Sequence, residues 1–252
     1  MAYAVQWLRS LLFIGQMYLM MAVIALIYLV PAIISRDWAY RAMHAYCWWV
    51  RWTAKWMIGL RTEMRGTTPT DEVVVAPKHQ SFLDIILIFG AMPRPKFVMK
   101  RQLRRAPILG WYAKRIGCIF VDRGKRGTAI TRLVADVKAG SAVAGQLIIY
   151  PQGTRVAPGV DRPYKVGTGV LYSQLGQDCV PAATNVGVFW PKHGIYRKPG
   201  LAVVEFLPRI EAGLSQAKFM ERLEREVEAA SDSLLDEVGF KRDQAHEDPS
   251  LT

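Results

Sequence analysis

No charged residue interrupts the stretch from Ser10 to Ser35, 26 residues bounded by Arg9 and Arg36. As one α-helix it would rise about 39 Å, enough to cross a hydrocarbon core of about 30 Å with tilt. One central Arg or Asp would cost ~3 kcal/mol on insertion, so the lack of charge carries information. The apolar core of a cleaved signal peptide runs to only about 7–15 residues, and no small-residue cleavage site stands out. The pattern predicts a retained membrane segment; a buried core helix would be unusually long and unpatterned. Pro31 is expected to break or kink the helix near its end.

From about Asp37 to Leu60 the pattern changes. This stretch holds Trp38, Trp48, Trp49, Trp52 and Trp56, five of the eight tryptophans. At 100° per residue, Trp48, Trp49, Trp52 and Trp56 fall within an arc of about 100°. Arg51 and Lys55 lie on the arc beside it. Aromatics flanked by snorkelling cations describe a helix at the headgroup level of a bilayer; the alternative is a helix packed on the domain core. Two arrangements stay open: one span plus an interfacial helix, or a helical hairpin held in one leaflet. If the first segment spans, its basic flanks set the orientation. Only Arg9 precedes it, whereas Arg36, Arg41, Arg51, Lys55, Arg61 and Arg65 follow. Positive-inside then places the main domain in the cytoplasm, on the inner (cytoplasmic) membrane.

Beyond about residue 70 the periodicity is that of a globular α/β domain. Strand-like runs are expected at Glu72–Ala76, Lys96–Met99, Cys118–Asp122, Leu147–Tyr150, Val180–Val188 and Leu201–Leu207. Helical stretches lie between them at Phe82–Ala91, Pro107–Arg115 (with Pro at its first position), Thr128–Ala142, Thr168–Leu175 and Gln216–Glu237. Strands separated by helices predict an α/β fold, a mixed sheet flanked by helices. The organisation that follows is N-terminal membrane-anchoring helices over residues 1–62, a globular domain over 63–240 and a polar tail over 241–252.

Composition narrows the class. The chain has 252 residues and is 51% hydrophobic, which excludes wholesale disorder. Cys47, Cys118 and Cys179 are too few and too scattered for a disulfide framework or a zinc site, and a reducing compartment is the default. Net charge is +12. Between Ile85 and Ala135 there are twelve basic residues and a single acid, Asp122, so this window supplies +11. Such a surface attracts phosphates: nucleic acid, anionic lipid or an acidic protein.

Two short segments could do chemistry. In Lys78-His79-Gln80-Ser81-Phe82-Leu83-Asp84, Ser81 and Asp84 read as a capping-box variant, Ser at the N-cap and an acid three residues on. That local explanation leaves His79 unexplained. His79 sits at the mouth of a strand-to-helix turn, where α/β sheets bind ligands. An acid in the first helical turn can reach back toward it, and a histidine held by a carboxylate is an oriented general base near neutral pH. Both readings fit the spacing. His44, His193 and His246 stand at no ligand spacing from His79, so no metal site is expected. The second segment is Tyr150-Pro151-Gln152-Gly153-Thr154-Arg155. After an apolar strand, Gly153, Thr154 and Arg155 offer backbone amides, a hydroxyl and a forked cation to one anion. An ordinary turn with an exposed Arg is the alternative. Neither a P-loop nor a dinucleotide fingerprint is present, Gly167-Thr-Gly169 being a weak mimic.

Together these segments resemble the glycerolipid acyltransferases, the group that includes lysophosphatidic acid acyltransferase. His79-Gln80-Ser81-Phe82-Leu83-Asp84 is similar to their HxxxxD motif. Gly117-Cys-Ile-Phe-Val-Asp-Arg123 resembles the second block, Gly153-Thr-Arg155 the third and Val180-Pro-Ala-Ala183 the fourth. The run from Phe97-Val-Met-Lys100 through Leu103 to Pro107-Ile-Leu-Gly-Trp111 resembles the stretch leading into the second block. The resemblance implies acyl transfer at a membrane, from a thioester on coenzyme A or acyl carrier protein to a lysolipid hydroxyl, with no metal or organic cofactor. It implies that His79 takes the proton, Asp84 orients it, and Arg155 binds the acceptor phosphate with help from Lys100 and Arg123.

The segments also depart from the family pattern. Gln152 stands where the third block usually opens with Glu, Lys78 where Asn usually precedes the His, and Gln102 where an acid commonly follows the lysine. These changes are expected to make the site more positive. The expected acceptor is lysophosphatidic acid, giving phosphatidic acid; another lysolipid, such as lyso-ornithine lipid, is the alternative. A membrane-anchored nucleic-acid-binding protein is a rival suggested by the basic window alone. No RNP-like strand or helix-turn-helix accompanies that window, so no nucleic-acid partner is expected.

Overall fold

The computed structural model describes residues 2–121, 131, 134–135 and 143–241. Arg123, most of the helix expected over Thr128–Ala142 and nearly all of the polar tail lie outside them.

The charge-free N-terminal stretch belongs to two helices, α1 (Ala2–Ile27) and α2 (Leu29–Ile34), with a break at Tyr28. Pro31 explains where the break falls. It lacks the N–H that would reach the carbonyl four residues back, and its ring crowds that carbonyl. The carbonyl in question belongs to Ile27, the last residue of α1. α3 (Arg36–Met57) starts at an N-cap, where Ser35 accepts from the amide of Asp37, and runs back along α1. Gln16 on α1 donates to Thr53 (3.1 Å) and accepts from the Trp49 indole (2.7 Å).

One face of α1 packs inward through Phe13, Met17 and Ile24, and the other leaves Leu12, Leu19 and Leu26 exposed. In its most apolar 18 residues only 28% is buried, far less than a core helix requires. Among the described residues α1 is the one helix long and apolar enough to cross a membrane. The same helix contributes to the domain core, because Phe13 and Met17 share one apolar cluster with the sheet residues Val75 and Ile148.

Among the described residues seven strands form one sheet, in the order β1-β7-β6-β2-β5-β3-β4. They are β1 (Leu60–Arg65), β2 (Val74–Pro77), β3 (Lys96–Lys100), β4 (Ile119–Val121), β5 (Leu147–Ile148), β6 (Cys179–Thr184) and β7 (Gly200–Phe206). All neighbours are parallel except β6 and β7, so the sheet is mixed. Its centre is β2, whose side chains alternate between two cores. Val73 and Val75 meet α3 and α4 (Leu83–Ala91) on one face. Val74 and Ala76 meet α6 (Gly167–Leu175) and α8 (Gln216–Asp236) on the other. A strand covered on both faces reads as an unbroken apolar run, as residues 73–76 do. α8 buries Phe219, Leu223 and Val227, four residues apart, and Phe219 stacks on Tyr172 of α6 at 3.8 Å.

Four expectations need correction. The tryptophan helix ends at Met57, because Gly59 takes a left-handed φ of +72° and turns the chain into β1. The boundary drawn between residues 62 and 63 therefore falls inside a strand. β1 escaped notice because Arg61, Glu63 and Arg65 break its apolar pattern at the sheet edge. The run Val180–Val188 is not one strand. After Thr184, Asn185 bonds Val203 and Leu234 through its side chain, and the chain leaves the sheet for the short helix α7 (Val186–Phe189). Helix α5 (Leu109–Arg115) begins two residues later than expected, since Pro107 accepts from Leu109 in a tight turn centred on Ile108.

Candidate active site

β2 ends at Pro77 and α4 begins at Leu83, so residues 78–82 form a turn at the end of the central strand. Asp84, fully buried, organises this turn. Its Oδ2 accepts from the backbone amides of Gln80 (2.8 Å) and Ser81 (2.7 Å), and Ser81 Oγ accepts from Leu83 N. Its Oδ1 lies 2.8 Å from His79 Nδ1 and accepts from the Tyr150 hydroxyl at 3.0 Å. The pairing with His79 is made through Oδ1, but the expected capping box is displaced: the N-cap of α4 is Phe82, not Ser81, with no side-chain cap bond, and Asp84 Oδ2 closes the turn ahead of it instead. With the carboxylate on Nδ1, that nitrogen carries the proton and Nε2 is left as the acceptor.

The Tyr150 ring stacks on the imidazole at 3.8 Å with 19° between planes. Burial and the Asp84 carboxylate push its phenol well above the ordinary range, so Tyr150 stays a proton donor. Sequence reasoning placed Tyr150 at the end of a strand and at the head of the Tyr150–Arg155 segment but gave it no role. The missing information is that β5 pairs with β2, which brings residue 150 beside residue 79.

The third block leaves β5 through a turn in which Gly153 donates to the Tyr150 carbonyl and takes φ +68°. A Cβ at Gly153 would lie 3.0 Å from Lys165 Nζ, so the glycine admits the lysine at the turn. The amide of Val156 donates to the His79 carbonyl, tying this loop to the histidine turn. Arg155 Nη1 donates to the Lys192 carbonyl at 3.2 Å.

A cavity of about 960 Å³ joins these parts. His79, Lys100, Gly153, Thr154, Arg155 and Lys165 line it, as do apolar side chains of α1, α3, α4 and α5, among them Met17, Cys47, Phe89 and Tyr112. One chamber thus offers a base, several cations and an apolar lining. Arg123 lies outside the described residues. Among those described, no three His, Cys, Asp or Glu side chains gather as a metal-ligand group. Cys118 lines the cavity, but burial pushes its thiol up to about 12, so it is not a ready nucleophile.

The departures from the family pattern have local consequences. Lys78 does not add free positive charge to the site. Its buried ammonium pairs with Glu228 of α8 at 2.5 and 2.7 Å, and Glu228 also accepts from Tyr164. Gln152 is buried and donates to the Arg162 carbonyl. On α3, Trp48, Trp52 and Trp56 are exposed and touch in series at 5.6–5.8 Å, whereas Trp49 is partly buried against Gln16.

Residues 61–185, from β1 to the end of β6, match the acyltransferase family. The 1-acyl-sn-glycerol-3-phosphate acyltransferase of Pseudomonas aeruginosa is 26% identical over 209 residues, 82% of this chain and 81% of that protein. A lyso-ornithine lipid O-acyltransferase of the same organism is 32% identical over a shorter stretch, 41% of this chain and 40% of that one. The crystal structure of the 1-acyl-sn-glycerophosphate acyltransferase from Thermotoga maritima superposes with a TM-score of 0.78 at 17% identity, covering 93% of this chain and 99% of that one. The matched segment carries β2, the turn with His79 and Asp84, and the Gly153–Arg155 loop, and the chain belongs to the acyltransferase family.

Proposed function

We propose that this acyltransferase moves a fatty acyl group from a thioester to the free hydroxyl of lysophosphatidate, giving phosphatidate at a membrane surface. The observation that carries this reading is the His79–Asp84 pair set in a cavity lined by both cations and apolar side chains. His79 Nε2 takes the proton of the acceptor hydroxyl, while Asp84 holds Nδ1–H and supports the imidazolium that forms. The hydroxyl oxygen attacks the thioester carbonyl. The C–O bond forms, the C–S bond breaks, and the proton on His79 passes to the departing thiolate. The protein supplies these steps through its own side chains, with coenzyme A or acyl carrier protein as carrier of the donor.

Arg155 and Lys100 hold the acceptor phosphate, with Gly153 and Thr154 at the same turn. Arg123 is assigned the same task from the family resemblance. The acyl chain lies along the apolar lining between α1, α3 and α5. The bare apolar face of α1, with Trp48, Trp52 and Trp56 of α3, rests in the bilayer. The basic flank that follows α2 favours the cytoplasmic side of the inner membrane. Product analysis with lysophosphatidate and lyso-ornithine lipid, each with coenzyme A and carrier-protein donors, tests the assignment. Phosphatidate from lysophosphatidate is expected. Acylation of lyso-ornithine lipid alone would overturn the acceptor.

A further inference from the structure

Arg197 lies in the segment between α7 and β7, which sequence reasoning passed over. It is 7% exposed and lines the same cavity as His79. Its guanidinium lies over the Trp190 ring at 4.7 Å. Trp190 in turn meets Phe82, within the histidine turn, and Phe13 of α1. Nη1 donates to the carbonyls of Gly194 and Tyr196, and Nε is buried with no partner among the described residues. Among the described residues no carboxylate faces this charge, and burial pushes the group down to about 10. A buried cation compensated only by carbonyls and an indole face is costly.

The chain nevertheless goes to some length to hold it. Gln6 donates to the Arg197 carbonyl at 2.8 Å, and Ser10 accepts from its amide at 3.0 Å. These are the two buried polar side chains of α1. Arg155 reaches the same segment through the Lys192 carbonyl. Two arginines from distant parts of the chain therefore meet one loop at one cavity. A phosphomonoester carries close to two negative charges at neutral pH, more than a single guanidinium balances.

We propose that Arg197 is a further cation of the acceptor site, joining Arg155 and Lys100 around the phosphomonoester of the lysolipid. The assignment rests on the acceptor reading above and deepens it. The cavity selects a dianionic headgroup, and α1 is part of the binding site because it fixes the arginine. The donor's phosphates share this chemistry, and separate titration of the two substrates distinguishes them.

The test uses the full chain carrying Arg197→Met, Arg197→Lys or Arg155→Ala, assayed with lysophosphatidate and thioester varied in turn, alongside thermal unfolding. Arg197→Met keeps an apolar stem over Trp190 without the charge. It should raise KM for lysophosphatidate about 10-fold or more, as expected for a lost charge-assisted hydrogen bond. KM for the thioester should not move, and the thermal midpoint should be level or higher. Arg197→Lys should fall between Met and wild type. Three results would overturn the proposal. One is an unchanged lysophosphatidate KM in folded Arg197→Met while Arg155→Ala raises it. Another is a rise confined to the thioester KM. The third is a fall in thermal midpoint for both Arg197 variants with wild-type KM in Arg197→Lys, which marks a purely structural residue. If Arg155→Ala leaves KM unmoved, the acceptor reading itself fails, whatever Arg197 does.

Discussion

Tyr150 donates its hydroxyl to Asp84 Oδ1 at 3.0 Å while its ring lies 3.8 Å from the imidazole that shares the same oxygen. The carboxylate is thus held by four donors, two backbone amides on one oxygen and Tyr150 and His79 on the other. Tyr150 is a positioning residue. Its ring covers one face of the imidazole, and its hydroxyl fixes the carboxylate.

Tyr150→Phe separates these two tasks, because it keeps the stacked ring and removes the hydrogen bond. It should lower kcat by about 10-fold, the low end of what a hydrogen bond to a charged group contributes, with KM nearly unchanged. Tyr150→Ala should lower it further. Steady-state kinetics on both variants checks this, and a wild-type kcat in Tyr150→Phe would remove the hydroxyl from the account.

The Lys78–Glu228 pair is unequal: the side chain of Lys78 is 4% exposed and that of Glu228 29%. Removing the acid strands a buried ammonium, whereas removing the lysine leaves a carboxylate that water can reach. Glu228→Gln should therefore destabilise the fold by about 3 kcal/mol, and Lys78→Met by less, about 1–2 kcal/mol. Urea unfolding measures both. Equal losses would mean that the ammonium is better solvated than its burial implies.

The N-terminal helices join two roles that a sequence pattern cannot separate. Trp48, Trp52 and Trp56 together present apolar surface outward. Changing all three to Ser should weaken partition to vesicles by at least about 10²-fold, given the transfer energy of large side chains, while leaving the thermal midpoint in detergent unchanged. Deleting residues 2–34 should remove firm attachment, leaving weak binding through the tryptophans, and also destabilise the chain. The deletion strips Phe13 and Met17 from the core and removes Ala25 O, to which Tyr112 donates. Vesicle flotation and thermal unfolding read the two effects independently.

What could be read from sequence was what is local. His79 and Asp84 stand five residues apart on one turn, so their spacing already announces the pair, whereas the cap it also suggested falls one residue later, at Phe82. Gly153, Thr154 and Arg155 are adjacent for the same reason. Tyr150 and Asp84 are 66 residues apart, Lys78 and Glu228 150, and Ser10 and Arg197 187. Such contacts are created by strand order, which no local period encodes. β1 was missed because an edge strand with alternating charges carries little apolar signal. α7 was read as strand because Val186 and Val188 favour strands until the Asn185 side chain redirects the chain. The membrane character of α1 was visible in its composition. Its inward face was not, since an apolar residue looks the same whether it meets lipid or a sheet.

The central claim is that His79 takes the proton of a lysolipid hydroxyl. Transfer of a labelled long-chain acyl group from its thioester to lysophosphatidate, by purified wild-type and His79→Ala chains, tests it most directly. Labelled phosphatidate should accumulate with wild type. His79→Ala should be slower by at least about 10²-fold, the scale of a lost general base, with thermal midpoint and lysophosphatidate KM close to wild type because His79 lies on a turn. Folded His79→Ala forming phosphatidate at a near wild-type rate would contradict the account.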